Sequence, residues 1–231
     1  TGDRGDRPVA TAWDAIGADA PGGDRKDDLS SQGKWADLLP TIPEGQNYLW
    51  HTDRGGGLPL FGWRTRYWSF MLKLAKDRPA WTIQAEPGPA TGPFHWDSRL
   101  LSIDEMARLQ SFPTGYRFSG DYRTARRQIG NAVPPALVEA VARRISAILR
   151  RRKYEPTLTL AVQPRGTPPA ATPPKDVPEA YLRLAGQHTA HPGTGKGPEH
   201  YQADVGDLSC GARGRAHADA IDVGHEQRAA A

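Results

Sequence analysis

The segment Gln128-Ile-Gly-Asn-Ala-Val-Pro-Pro135 concentrates residue types suited to holding a small polar molecule. Gly130 permits close backbone approach, and the Asn131 amide offers both a donor and an acceptor. Pro134 and Pro135 suit the first turn of a helix, where a missing N–H costs nothing. A helix starting there points unpaired N–H groups and a partial positive charge at the loop, which suits the carboxylate of a zwitterion. The same residues also read as a plain helix N-cap, because Asn or Gly before a Pro-initiated helix is common. Both readings stand on the residues alone.

A second concentration is basic. Arg117, Arg123, Arg126 and Arg127 precede the loop, and Arg54, Arg64, Arg66, Lys73, Lys76 and Arg78 are interleaved with Trp63, Tyr67 and Trp68. Such a mixture beside Gly55-Gly-Gly57 suits contacts with phosphates and bases, the alternative being a solvated charged face. The three glycines leave the backbone free to take positive φ and to approach another molecule closely. His51 and His95 have no partner His or Cys at metal-ligand spacing, so no metal site is expected. Cys210 is the one cysteine, which excludes a disulfide framework and a cysteine-based zinc site; with no His nearby it is no candidate nucleophile.

These groups need elements to position them. Ser102 and Glu105 form a capping box, predicting a helix to about Gln110 with Ile103, Met106 and Leu109 buried and Phe112 just beyond. Pro113-Thr-Gly-Tyr116 reads as a turn, and Leu137, Val138, Val141, Ile145, Ile148 and Leu149 trace one stripe of a helix over 135–152 closed by Arg150–Lys153. Upstream, Thr11 caps a short helix to Ile16, with Trp13 and Ile16 as packing points, and 17–32 reads as a linker. Residues 34–39 read as a short helix stopped by Pro40. Tyr67, Phe70, Met71 and Leu74 share one face of a helix ended by Pro79, and 81–85 reads as a strand.

The composition is uneven along the chain. All seven Trp and all five Phe lie before residue 120, while Gly (25) and Pro (21) make about a fifth of the 231 residues. Beyond residue 154 every periodic signal is lost, so 154–231 reads as disordered, with Val177–Leu184 as a transient helix. A formal charge of +4 and a pI near 9.3 favour a polyanionic partner. No apolar run approaches the ~18–20 residues of a membrane span, and no signal peptide is present, so an intracellular chain without membrane contact is expected. The sequence begins with Thr, as a piece of a longer protein would.

Residues 99–135 resemble the last two signature motifs of the DNA (cytosine-5)-methyltransferases. The ninth matches Arg99, Leu101-Ser102, Glu105 and Arg108-Leu-Gln-Ser-Phe-Pro113; the tenth matches Gln128–Pro135. Pro79-Ala-Trp-Thr-Ile83 is similar to the Pro-x-x-Thr-Ile/Leu signature of the family's target-recognition region. The resemblance covers roughly residues 8–150. It implies that Gly130, Asn131 and Ala132 contact the methionine part of S-adenosylmethionine, that Thr82 touches the DNA backbone, and that Arg99, Glu105 and Gln128 lend structural support. Base-reading residues would lie in 51–78, where Arg54, Arg64 and Arg66 are the candidates.

The departures from the family pattern matter as much. The reaction needs a Cys thiolate to attack C6 of a flipped cytosine, and the family's Pro-Cys dipeptide is absent, Cys210 following Ser209. The Phe-x-Gly-x-Gly loop, the Glu-Asn-Val segment and the Gln-x-Arg-x-Arg strand are also missing, and all lie upstream in the family's order. The resemblance therefore implies an α/β fold class: the C-terminal fragment of a Rossmann-like S-adenosylmethionine-dependent methyltransferase with a small, irregular α+β recognition domain. Its parts would be a linker (1–33), the target-recognition region (34–98), the segment of motifs nine and ten (99–153) and the tail (154–231). The implied function is cytosine-5 methylation of duplex DNA in restriction-modification or epigenetic marking, in the bacterial cytoplasm. The implied partners are double-stranded DNA and the missing N-terminal catalytic half, and the chain alone is expected to be inactive. The alternatives are a recognition subunit of a split methyltransferase and a non-catalytic DNA-binding remnant.

Overall fold

Helix α1 (Ala12–Ile16) starts where local side-chain chemistry sets it. The Thr11 hydroxyl accepts the Asp14 N–H at 3.2 Å, and the Asp14 carboxylate accepts the Thr11 N–H at 2.9 Å, closing a capping box. The next two amides, on Ala12 and Trp13, donate to the Arg78 and Lys76 carbonyls, so the helix start is tied to a segment far along the chain. In this computed structural model the described residues are 9–17, 29–63, 67–88, 90–155, 157–186 and 188. All of them lie in the compact unit Thr1–Thr194. The linker expected over 17–32 and the tail beyond 188 fall largely outside the described residues.

The described residues of 34–98 fold around two 3₁₀ turns rather than helices and strands. The turn Ala36–Thr41 begins later than the helix expected over 34–39 and carries Pro40 inside it; burial of Leu38, Leu39 and Thr41 holds it despite the donor that Pro40 lacks. The turn Tyr48–His51 is capped by the Asn47 side chain, whose Oδ1 accepts the Leu49 N–H at 2.9 Å. The helix expected over 67–76 is not formed. Its amides serve distant partners instead: Met71 donates to Ala90, Lys73 to Gln46 and Leu74 to Phe94. Long-range pairing takes the amides that a local helix would need. Residues 81–85 likewise form no strand. Among the described residues, β-pairing is confined to single bridges at Ser30–Arg99, Phe70–Thr91 and Lys73–Phe94.

The regular helices follow. Helix α2 (Ile103–Leu109) carries the expected capping box, Ser102 Oγ accepting the Glu105 N–H at 3.1 Å while Glu105 accepts the Ser102 N–H at 2.8 Å. Met106 is buried as expected, but Glu105 and Ala107 are buried with it, and Ile103 and Leu109 pack only partly. Helix α3 (Tyr122–Asn131), capped by Asp121, occupies the basic segment and packs on α2 as α1 does. Helix α4 (Pro135–Leu149) ends three residues before the expected limit. Arg151 takes a left-handed φ of 51°, and the Arg152 N–H folds back onto the Ala147 carbonyl, closing the helix end. No residue of α4 is buried, and its stripe from Leu137 to Leu149 faces outward.

Two apolar clusters hold the unit together. One joins Ile16, Leu74, Ile83, Trp96, Leu101, Met106 and Ile129, and so ties α1, α2 and α3 to the irregular segments. The other joins Leu38, Leu39, Ile42, Tyr48, Leu60, Met71, Phe94 and Tyr181. Tyr181 comes from helix α5 (Glu179–Leu182), which lies within the transient helix expected over Val177–Leu184. Its ring stacks on Trp35 at 5.9 Å and its hydroxyl donates to the Lys34 carbonyl at 2.7 Å. Arg165 donates to the Asp14 carboxylate and to the Asp14 and Gly17 carbonyls, and Lys175 donates its amide to Pro40. Residues 157–186 thus run back along the body although no periodic pattern marks them.

Candidate functional site

Glu105 is the anchor of the region around α2. Its two oxygens accept both terminal nitrogens of Arg99 at 2.7 and 2.8 Å, while one of them also takes the Ser102 N–H. Burial pushes its carboxyl up, but the Arg99 guanidinium and the Ser102 amide overcome this and hold it below the usual value. His95 lies beside it, Nε2 at 3.8 Å from Glu105, with Nδ1 accepting the Asp97 N–H at 3.1 Å. Burial, reinforced by the Arg99 charge, drives His95 down to about 3, so it is a neutral ring at neutral pH. Arg99 and Glu105 are therefore brought together as a buried brace that aims α2.

The Gln128–Pro135 segment is not the open loop that its composition suggests. Gln128 to Asn131 form the last turn of α3, Ala132 is its C-cap, and α4 is capped at Pro134 without a side-chain bond. The Asn131 N-cap reading is thus corrected: Asn131 ends one helix and does not start the next. Gly130 faces the irregular segment before it. A Cβ at Gly130 would stand 2.4 Å from the Ala85 nitrogen and 2.9 Å from the Gln84 carbonyl carbon. Its close backbone approach is made to the protein's own chain. Nearby, Arg126 donates to the Gln84 carbonyl at 3.4 Å, Tyr122 donates its hydroxyl to the Leu101 carbonyl at 2.8 Å, and Gln128 donates to the Ser119 carbonyl at 3.1 Å.

The start of α4 also differs from expectation. Pro134 and Pro135 have no N–H, Ala136 donates to Ser111 Oγ at 3.0 Å, and Leu137 and Val138 donate to the Pro134 carbonyl. The helix N-terminus is spent internally. What the segment still offers a small zwitterion is the exposed Asn131 amide and the Val133 N–H, which has no partner among the described residues. Those two groups could donate to the carboxylate of such a molecule; the helix end could not. Ser111, which closes the helix start from 25 residues away, is a contributor that no local pattern marks.

The residues assigned to DNA contact are placed unevenly. Arg54 lies over the Trp63 ring at 3.8 Å, and Thr82 is exposed. Arg64 and Arg66 lie outside the described residues. The three glycines at 55–57 take no positive φ. Each instead presses on Trp50, a Cβ at Gly56 standing 2.5 Å from its ring and one at Gly57 2.5 Å from its Nε1. Lys73 and Lys76 are buried and used internally: Lys73 donates to the Ile42 carbonyl at 2.8 Å and burial lowers it to about 8, while Lys76 pairs with Glu44 at 2.6 Å. The two are withdrawn from any phosphate. Trp68 and Trp81 stand side by side at the surface, ring centroids 5.2 Å apart. Among the described residues no cluster of three or more His, Cys, Asp or Glu is arranged to hold a metal, and no helix is long and apolar enough to cross a membrane. Cys210 lies outside the described residues.

Residues 63–147 match the family model of the C-5 cytosine-specific DNA methylases. Over 122 residues the chain is 48% identical to the type II methyltransferase M.SacI of Streptomyces achromogenes, covering 48% of this chain and 31% of that protein. Over 149 residues it is 35% identical to the type II methyltransferase M.NgoFVII of Neisseria gonorrhoeae, covering 64% and 39%. A shorter match of 60 residues, 47% identical, links it to DNA (cytosine-5)-methyltransferase 3 of Arabidopsis thaliana, covering 26% and 4%. The chain spans about a third of the length of the bacterial relatives.

Proposed function

Residues 63–147 belong to the DNA (cytosine-5)-methyltransferase family, and from that premise we propose that this chain supplies DNA recognition and part of the cofactor site for methylation of cytosine C5 in duplex DNA. The division follows the family motifs: recognition in 34–98, the ninth and tenth motifs in 99–153, a linker before them and a tail after. The family implies an S-adenosylmethionine-dependent methyltransferase fold, of which these residues form the C-terminal part. S-adenosylmethionine, when bound, supplies the methyl group. The Asn131 amide and the Val133 N–H are the groups of this chain that would hold it, with Gly130 and Ala132 setting the backbone between the two helices, while Arg99, Glu105 and Gln128 fix the helices behind them.

The observation that carries the reading is the seating of Gly130 on the Gln84–Ala85 backbone. It joins the cofactor-side motif to the segment bearing Thr82, so a shift on one side is felt on the other. Arg54 and Thr82, with Arg64 and Arg66, are proposed to meet DNA. No nucleophile accompanies them: no Pro-Cys pair occurs in the 231 residues, and Cys210 follows Ser209. The exposed stripe of α4 favours a further polypeptide segment that covers it and carries the Pro-Cys dipeptide, in the same protein or in a separate subunit. The type II methyltransferases among the relatives support a restriction-modification setting.

The test is binding of a fluorescent duplex across a salt series. A DNA-recognition chain loses affinity linearly in log salt, and Arg54→Ala lowers the slope by about one. Binding that ignores salt, or no binding at low salt, overturns the proposal.

A further inference from the structure

A surface helix is usually held by burying its apolar stripe against its own domain. In α4 the stripe is free, Leu137, Val138, Val141, Ile145 and Ile148 being 49–65% exposed. The bond from Ala136 to Ser111 pins the first turn, so the rest of the helix is aimed from elsewhere. The hold is on the opposite face, where Glu139 and Arg143 stand one turn apart. The Glu139 carboxylate accepts the Thr159 N–H on one oxygen and the Leu160 N–H on the other, each at 2.8 Å, and Arg143 donates to Thr159 Oγ1 at 2.8 Å. The Thr159 and Leu160 amides draw the Glu139 carboxyl down to about 2.

Farther on, the same segment is tied to α1. The Arg165 N–H donates to the Asp14 carboxylate at 2.8 Å, and its guanidinium to the Asp14 carbonyl at 2.7 Å and the Gly17 carbonyl at 3.0 Å. Between the two ties Val162 packs against the cluster containing Ile16 and Met106. An open cleft of about 590 Å³ runs alongside, lined by Asp14, Arg108, Phe112 and the segment itself. The segment is thus a span attached at points, not a layer packed along its length.

We infer that residues 159–165 act as a strap that sets the direction of α4, with Glu139 and Arg165 as positioning residues. A helix held in one orientation offers its outward stripe to an incoming polypeptide without first losing that freedom. Asn131 and Val133 lie just before α4, so its angle also governs where they stand. Those two consequences rest on the proposed function, whereas the hold on α4 does not.

The test labels the 231-residue chain, carrying Cys210→Ser, with nitroxides at two exposed positions, Asp104→Cys on α2 and Ala142→Cys on α4. Pulsed electron paramagnetic resonance reads their separation. A control pair, Asp104→Cys with Arg123→Cys, reads α2 against α3, which pack directly. Each pair is expected to give one narrow distance. Glu139→Ala and Arg165→Ala should each broaden the α2–α4 distribution about twofold or more and leave the α2–α3 distribution unchanged. Glu139 lies outside both apolar clusters, so its variant decides if Arg165→Ala also loosens the body. A narrow α2–α4 distance that survives both variants, or a broad one before either is made, overturns the inference and leaves DNA recognition untouched. Broadening of both pairs by Glu139→Ala overturns it as well, since the contact would then hold the whole body and not α4.

Discussion

Gly130 lies so close to Ala85 that a methyl group on its α-carbon would stand 2.4 Å from the Ala85 nitrogen. Within a helix, alanine is ordinarily preferred to glycine by about 1 kcal/mol. Here the obstacle is backbone, which has no side chain to swing away. Gly130→Ala is therefore expected to lower stability by about 1–3 kcal/mol, the usual cost of overpacking, where open space would have raised it. Chemical denaturation reads the sign, and a stabilised variant would show that the contact is slack.

The Arg99–Glu105 brace is buried, and its partners are not equally dispensable to water: Glu105 is 2% exposed. Removing either side leaves a buried group uncompensated, so Glu105→Ala and Arg99→Ala are each expected to cost about 3–5 kcal/mol. The double variant should cost clearly less than the sum. A double-mutant cycle by denaturation checks this, and strict additivity would mean that the pair does not act as a unit.

His95 sets part of the acid stability. Its folded pKa, about 3, lies below the ordinary value of 6.5, so the unfolded chain binds the extra proton. Stability is then full above pH 6.5 and falls as pH drops toward 3, at up to about 1.4 kcal/mol per pH unit. Glu105, also held below its ordinary value, adds to the loss only at lower pH. His95→Gln is expected to flatten the profile between pH 6.5 and 5. An unchanged slope in that window would place the titrating group elsewhere.

Tyr181 is the main attachment of the segment 157–186. It is 8% exposed, stacked on Trp35 and bonded to the Lys34 carbonyl. Tyr181→Phe is expected to cost about 1 kcal/mol for the hydroxyl bond, and Tyr181→Ala about 3 kcal/mol for the ring as well. The alanine variant should also admit protease between residues 157 and 186. Equal melting temperatures for the two variants would mean that the ring contributes little.

What was legible in the sequence is what is decided locally. The boxes Thr11–Asp14 and Ser102–Glu105 act across three residues, and the prolines and apolar stripe of α4 mark a helix without outside help. The segment 67–76 misled because its spacing matches a helix while its amides are taken by Gln46, Ala90 and Phe94. Gly130 and Asn131 read as a loop because nothing nearby reveals that Ala85 fills the space beside them. Residues 157–186 carry no period because single anchors, Arg165 on Asp14 and Tyr181 on Trp35, do the attaching. At the site, Ser102 and Glu105 were legible as a capping box, whereas the Arg99–Glu105 pair spans six residues that no local pattern joins, and the occupied start of α4 depends on Ser111, far from it in sequence.

This chain is proposed to contribute recognition and cofactor contacts but not the attacking residue. Transfer of labelled methyl from S-adenosylmethionine to duplex DNA measures it directly, with the chain alone and with an added polypeptide bearing the family's Pro-Cys segment. No incorporation by the chain alone, incorporation by the mixture, and at least a tenfold loss when the chain carries Asn131→Ala are expected. Incorporation by the chain alone, or a mixture as silent as its parts, would contradict it.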